Sequence, residues 1–325
     1  MSNTAPTPNA PTPVTVSRLV QAGTGLDLRV VCGNAGLERR ITEPAVNRPG
    51  LALTGFFEYF AEHRVQVIGG AERTYLDSLP PEERVTRFTR LLDRPVPCVV
   101  FCRAYEPEPG FVVAAERAGI PLLISSLETM SFINRATILL DNLAAPNTQV
   151  YGSMVDILGI GVIIRGRPGI GKSECVLALI ERGYSLVADD VTALRVHQDR
   201  ELIGTSPPTT RDFMEVRGIG IINVPAMFGV RCIRTEKRLD LVVDLEDWNK
   251  LEDVERVGRE EKFIELLGVR VPHMVLPVHP GRDIARLVEV AAFHVKLRIQ
   301  GINPVDQLEE RVFERMRETG GKAGG

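Results

Sequence analysis

Cysteine is scarce and unpaired in this chain: Cys32, Cys98, Cys102, Cys175 and Cys232 make an odd number, and none forms a C-x-x-C pair. That excludes a disulfide framework and the common zinc and redox motifs. Histidine is equally sparse, and His63, His197, His273, His279 and His294 do not fall at zinc-ligand spacing. Cys98 and Cys102 bracket the apolar Val99-Val100-Phe101, so they are expected to pack as small hydrophobes. Such thiols suit a reducing, cytoplasmic setting. No apolar run reaches membrane-spanning length, and the N-terminus lacks a charged-then-apolar signal pattern, so no membrane partner is expected. Basic charge is not in excess either: 39 Lys and Arg face 42 Asp and Glu, a net charge of −3. The basic residues are dispersed without interleaved aromatics, which argues against a nucleic-acid partner. No internal repeat is present.

What remains is an ordinary soluble composition, 44% hydrophobic and 25% charged, over 325 residues. That length suits two domains. Residues 1–13 are Pro, Thr, Asn and Ala-rich and are expected to be a disordered tail, as is the Gly-rich end, 319–325. Residues 14–143 alternate short apolar runs with helical patterns, an N-terminal α/β domain. Strands are expected at Leu26–Val31, Val65–Ile68, Cys98–Phe101 and Leu122–Ser125, and a helix at Pro81–Leu92. A second helix is expected from Ser125, with Ser125 and Glu128 as a capping box, to about Leu143. Residues 144–149 read as a linker, and 150–318 as a second α/β domain closed by helices at Ile284–Ile299 and Val305–Arg317.

The second domain carries Gly166-Arg167-Pro168-Gly169-Ile170-Gly171-Lys172-Ser173, a full match to G-x-x-x-x-G-K-[ST]. Glycines permit a tight turn that aims backbone N–H groups inward, at the positive end of the following helix. The Lys is placed to meet β/γ-phosphates and the Ser hydroxyl to ligate Mg²⁺. The flanks fit: Ile160–Ile164 is a β-branched run, and Ser173–Arg182 has helical spacing ending at Gly183. A nucleoside triphosphate or diphosphate site is expected.

Directly after that helix, an apolar strand ends in Asp189-Asp190. In a parallel sheet such strand ends gather where ligands bind, so one carboxylate is a candidate Mg²⁺ ligand and the other a candidate proton acceptor. The run Glu215-Val216-Arg217-Gly218-Ile219-Gly220 offers a further metal ligand in Glu215 and a phosphate partner in Arg217, against the plainer reading of a strand bend. Pro277-Val278-His279-Pro280-Gly281-Arg282 joins a strand to the penultimate helix and, by itself, reads as a stiff loop.

Taken together these motifs resemble the HPr kinase/phosphorylase family. The resemblance spans Thr15 to Arg317 and rests on Asn47–Leu51, Gly171–Glu174, Leu186–Asp190, Glu215–Val224, Glu236–Val243 and Pro280–Arg282 with Glu289–Ala292. It implies a C-terminal P-loop kinase domain similar to the phosphoenolpyruvate carboxykinase core, a separate α/β N-terminal domain and a homohexamer. It implies phosphorylation of a serine of the phosphocarrier protein HPr with ATP or pyrophosphate, and removal of that group by phosphate to give pyrophosphate. By motif position, Gly166–Ser173 would bind nucleotide, Ser173 and Glu215 (with Asp189 as a further candidate) would bind Mg²⁺, and Lys172, Asp190 and Arg256 would be catalytic. Residues 277–282 would serve dephosphorylation. Three positions depart from the family: Tyr151 stands where it has an active-site His, His279 where it has Arg, and Arg167-Pro168 where it has an acidic residue and Ser. Tyrosine does not exchange protons near neutrality as imidazole does, and His279 lacks a permanent charge. The expectation is an intact kinase with a weak phosphorylase, and Arg167 adding positive charge beside the phosphates. A P-loop kinase of another protein or small molecule, and a nucleotide-sensing regulator, stay open on the residues alone.

Overall fold

The computed structural model describes residues 13–198, 200–250, 262–279, 281–304, 306–308 and 310–312. The chain forms two compact units that part between Ala145 and Pro146. The helix that closes the first unit runs on to Ala144 and a strand starts at Asn147, so the expected linker shortens to Ala145-Pro146.

In the first unit, β1 (Leu28–Cys32), β2 (Val46–Asn47), β3 (Val65–Ile68), β4 (Val99–Phe101) and β5 (Leu122–Ser125) form one sheet in the order β1-β5-β4-β3-β2. Only the β1–β5 pairing is antiparallel. Strands β3, β4 and β5 are buried along their whole length, which is why they read as continuous apolar runs. One face packs Phe88, Phe101 and Phe111, the other Leu19, Phe132 and Leu140. The capping box at Ser125 is not formed. Ser125 belongs to β5 and its hydroxyl donates to the Leu26 carbonyl, so the helix starts at Thr129, with Glu128 at the N-cap. All five cysteines are buried free thiols, as expected of small hydrophobes.

The second unit is built from β6 (Asn147–Tyr151), β7 (Ser153–Ile157), β8 (Ile160–Gly166), β9 (Ser185–Ala188), β10 (Val191–His197), β11 (Glu201–Thr205), β12 (Phe213–Val216), β13 (Gly220–Asn223), β14 (Glu236–Arg238), β15 (Leu241–Asp247), β16 (Lys262–Leu266) and β17 (Val269–Val278). Its central sheet has the order β16-β17-β15-β8-β7-β9. Strands β8, β15 and β17 are parallel. Strand β9 is antiparallel to β7, itself antiparallel to β8, so β9 points the same way. The C-terminal ends of these four strands therefore share one edge.

Alternation along the strands decides what covers each face. Val162, Ile164, Val243 and Leu245 meet the helices Lys172–Glu181 and Ile284–Ile299. Ile163 and Val242 meet Leu194, Val196 and Leu202 of the antiparallel sheet β14-β11-β10-β6. The helix Ile284–Ile299 has the bounds the spacing predicts, whereas the expected Val305–Arg317 helix lies largely outside the described residues.

At Gly161, β8 packs closely against the segment that joins β14 to β15. The Gly161 N–H donates to Asp240 Oδ2 at 2.8 Å and its carbonyl accepts from the Asp240 N–H at 2.8 Å. A Cβ there would stand 1.9 Å from the Arg238 carbonyl oxygen, a backbone atom that cannot swing aside. Gly161→Ala is expected to cost roughly 1–3 kcal/mol, read as a lower urea midpoint with an unchanged m-value. A midpoint equal to wild type would contradict this close approach.

Candidate active site

The loop Gly166–Gly171 leaves β8 at the shared edge and enters the helix Lys172–Glu181. Gly166, Gly169 and Gly171 have φ of 159°, 81° and 104°, which side-chain-bearing residues rarely adopt, so the loop's curl depends on glycine. Lys172 Nζ donates to the Gly166 carbonyl at 3.2 Å, folding the ammonium back over the loop it is expected to serve. The hairpin β12–β13 brings Arg217 to the same place: its Nη1 lies 3.2 Å from where a Gly169 Cβ would stand. Met214 and Val216 are buried, so Glu215 and Arg217 face outward between and beyond them.

Asp189 and Asp190 take different roles because the chain turns between them. Asp189 is buried: Oδ1 accepts from the Ser153 hydroxyl at 2.7 Å and Oδ2 from the Glu215 N–H at 3.2 Å. Burial pushes its carboxyl above the usual range, although those bonds and the Asp190 N–H pull the other way. Asp190 is exposed and left-handed at φ 57°. The Val191 N–H donates to the Asp189 carbonyl at 2.6 Å, closing a tight turn about it, and the Gly152 N–H donates to the Asp190 carbonyl at 2.8 Å. Asp is among the few side-chain-bearing residues that accept this conformation readily. Asp190 thus leaves the alternation of β9 and presents an accessible carboxylate at the sheet edge.

Tyr151 closes β6 opposite Val191, beside Asp190 in the ladder, and is 80% exposed. At the ends of the parallel strands, Pro277 pairs with Glu246 and Val278 with Asp247. The Arg282 N–H donates to the His279 carbonyl at 3.1 Å. The His279 ring meets Trp248 edge-on, centroids 6.5 Å apart. Arg256 and Pro280 lie outside the described residues.

One electrostatic expectation needs correction. Arg167 does not offer its charge to the phosphate site: its guanidinium pairs with both oxygens of Asp247, at 2.8 and 2.9 Å. Loop and strand end are joined by a pair with no net charge. Asp247 is 80 residues from Arg167 in sequence, and the parallel register of β8 and β15 aligns them.

Of the three expected Mg²⁺ donors, Asp189 is committed to the Ser153 hydroxyl and the Glu215 N–H, whereas Glu215 faces outward and Ser173 is half-buried. Among the described residues no group of three or more His, Cys, Asp or Glu is arranged to hold a metal.

A phosphate loop, a lysine, an arginine and an accessible carboxylate at one sheet edge define a P-loop phosphotransferase. The comparisons agree. The profile described as HPr Serine kinase C-terminal domain matches residues 142–312, and that described as HPr Serine kinase N terminus matches 14–140. The chain is 39% identical over 293 residues to a Geobacter sulfurreducens protein named HPr kinase/phosphorylase, covering 90% of this chain and 92% of that one. A Caldicellulosiruptor bescii protein of the same name is 39% identical over 303 residues, covering 93% and 96%. A solved chain titled HPr(Ser) kinase/phosphatase from Coxiella burnetii aligns with TM-score 0.46 and 33% identity, over 47% of this chain and 93% of that chain. The chain belongs to the HPr serine kinase family, and it is an enzyme of the protein serine kinase class.

Sequence reasoning missed the polar group directly behind the loop. Asp244 of β15 receives two bonds from Arg165 of β8, both 2.6 Å, and pairs with His273 Nε2 of β17 at 2.8 Å. An aspartate inside the apolar run Leu241–Leu245 was the available signal. Burial opposes ionisation of Asp244, but the His273 and Arg165 hydrogen bonds and charges outweigh it and hold the carboxyl at about 2. Its folded value lies below its unfolded one, so the stabilisation is full above about pH 4 and disappears as pH falls through about 2. Asp244→Asn is expected to lose about 3 kcal/mol near neutrality and to show a flatter stability profile between those limits. Chemical denaturation across that range checks both, and an unchanged acid slope would refute the assignment.

Proposed function

We propose that this chain phosphorylates a serine of the phosphocarrier protein HPr with ATP or pyrophosphate as donor, and that phosphorolysis of the product is slow. The observation that carries the reading is the convergence of Gly166–Ser173, Arg217 and Asp190 on one sheet edge. The loop N–H groups, Lys172 and Arg217 would bind and orient the donor's terminal phosphates. Mg²⁺ held by Ser173 and Glu215 would neutralise charge on the phosphate oxygens. Asp190 would align the substrate hydroxyl and take its proton as the serine oxygen bonds to the terminal phosphorus and the bridging oxygen departs with ADP or phosphate. In reverse, an oxygen of inorganic phosphate displaces the serine oxygen, which recovers the proton from Asp190 while pyrophosphate leaves. Arg256 is assigned to the transferring group by its family position alone. A homohexameric assembly and a cytoplasmic location accompany this reading; light scattering on the purified protein tests the first.

Asp190→Asn is expected to keep donor affinity and lose 10²–10⁴-fold in transfer, roughly the worth of a positioned general base. Labelled donor, HPr and mass spectrometry of the serine measure this, and wild-type turnover would remove Asp190 from the mechanism.

Tyr151 and His279 bear on the reverse reaction. Phosphorolysis is the microscopic reverse of pyrophosphate-driven phosphorylation, so their equilibrium constant ties the two rates together, while ATP-driven transfer is free of that tie. Both pyrophosphate-linked reactions are therefore expected to be slow relative to the ATP reaction, and Tyr151→His to raise both together. Fast phosphate-dependent release of pyrophosphate by the wild-type chain would contradict this.

A further inference from the structure

Arg182 ends the helix that leaves the phosphate loop, and no role assigned above uses it. Its guanidinium crosses to the helix Ile284–Ile299 and meets two carboxylates there. Nη2 lies 2.6 Å from Asp283 Oδ2, and Nη1 lies 3.2 Å from Glu289 Oε2. The other oxygen of Glu289 accepts from the Tyr184 hydroxyl. Asp283 is the N-cap of Ile284–Ile299, its Oδ1 accepting from the Arg286 N–H at 3.0 Å. One carboxylate oxygen therefore fixes the start of that helix, and the other ties the start to Arg182. Arg282 immediately precedes Asp283; it is exposed, and it follows Gly281 at φ 82°, a left-handed turn that glycine permits. The two helices also meet nearer the loop, where Ile284 Cδ1 lies 3.3 Å from where a Gly171 Cβ would stand.

We propose that Arg182 is a positioning residue: by holding Asp283 it sets Arg282 against the phosphate loop, so that Arg282 can hold the inorganic phosphate that enters phosphorolysis. The inference rests on the phosphotransfer reading above. The pair is open to solvent, with side chains 31% and 49% exposed, and such pairs add little stability. Its value is geometric. A planar guanidinium spans two carboxylates at once, whereas an ammonium offers one compact point of charge. Without that span the start of the helix is free to shift, and the charge beside it shifts too. Arg182 itself touches no reacting atom.

Full-length wild type, Arg182→Gln, Arg182→Lys, Arg282→Gln and the variant carrying both glutamines are compared in two assays. One is phosphorolysis of seryl-phosphorylated HPr with inorganic phosphate varied; the other is ATP-driven phosphorylation of HPr. Arg182→Gln is expected to raise KM for phosphate roughly tenfold and to leave KM for ATP within about twofold, with little change in thermal melting. Arg182→Lys should recover part of the loss. In the Arg282→Gln background, Arg182→Gln should have no further effect, since no charge is left to position. An unchanged KM for phosphate, equal rises for phosphate and ATP, or the same fold-change in both backgrounds would overturn the inference and spare the phosphotransfer reading. Wild-type phosphorylation of HPr without measurable phosphorolysis would do the same. Failure of the wild-type protein to phosphorylate HPr would overturn that reading and the inference together.

Discussion

The catalytic edge depends on the buried carboxylate of Asp189. It collects a hydroxyl from β7 and a backbone N–H from β12, and both are neutral donors. A buried acceptor in that position is costly to leave unmade, so Ser153 and the hairpin are held against it. The residues proposed to act lie one step away: Asp190 follows it in the chain, and Glu215 supplies the N–H it accepts. Holding Asp189 in place also holds the left-handed turn at Asp190, a conformation costing about 1 kcal/mol that the Gly152 N–H helps to maintain. Position at this site is inherited from a group to which the proposed transfer assigns no role.

A second layer of charge sits immediately behind the loop. Arg165 and Arg167 flank Gly166, and each finds a carboxylate on β15, Asp244 and Asp247. The parallel register fixes that correspondence, since Leu245 lies opposite Gly166. Two arginines next to a phosphate loop are therefore neutralised within the protein. The positive charge proposed to face the donor comes from Lys172, Arg217 and the helix N-terminus, all beside the loop. The loop is gripped on both sides without competing for phosphate.

Local chemistry was legible in the sequence and long-range pairing was not. Gly166–Ser173, the helix ending at Gly183 and the strands Val65–Ile68 and Leu122–Ser125 announce themselves in consecutive residues, because glycine conformation, helical spacing and full burial all leave short-range patterns. Asp189 and Asp190 were placed at the correct edge by the same logic. Their division of labour was only half visible: alternation along a strand separates neighbours, but the turn that frees Asp190 depends on Gly152 and Ser153. Arg167 misled for the same reason. Its partner is set by strand order, which composition does not encode. The Ser125 capping box failed because a serine three residues before a glutamate is equally able to end a strand and bond across the sheet.

On the proposed reading, residue 279 bears on the direction of the reaction. An arginine there would carry a permanent charge able to hold inorganic phosphate, the reactant of phosphorolysis. Histidine gives up that charge and sets a ring against Trp248 instead. On the proposed reading, the exchange removes attraction for a second phosphate. With Tyr151 beside Asp190 in place of an imidazole, the proposed balance shifts further away from phosphorolysis, because neither change touches Lys172, Ser173 or Asp190, the proposed acceptor of the serine proton.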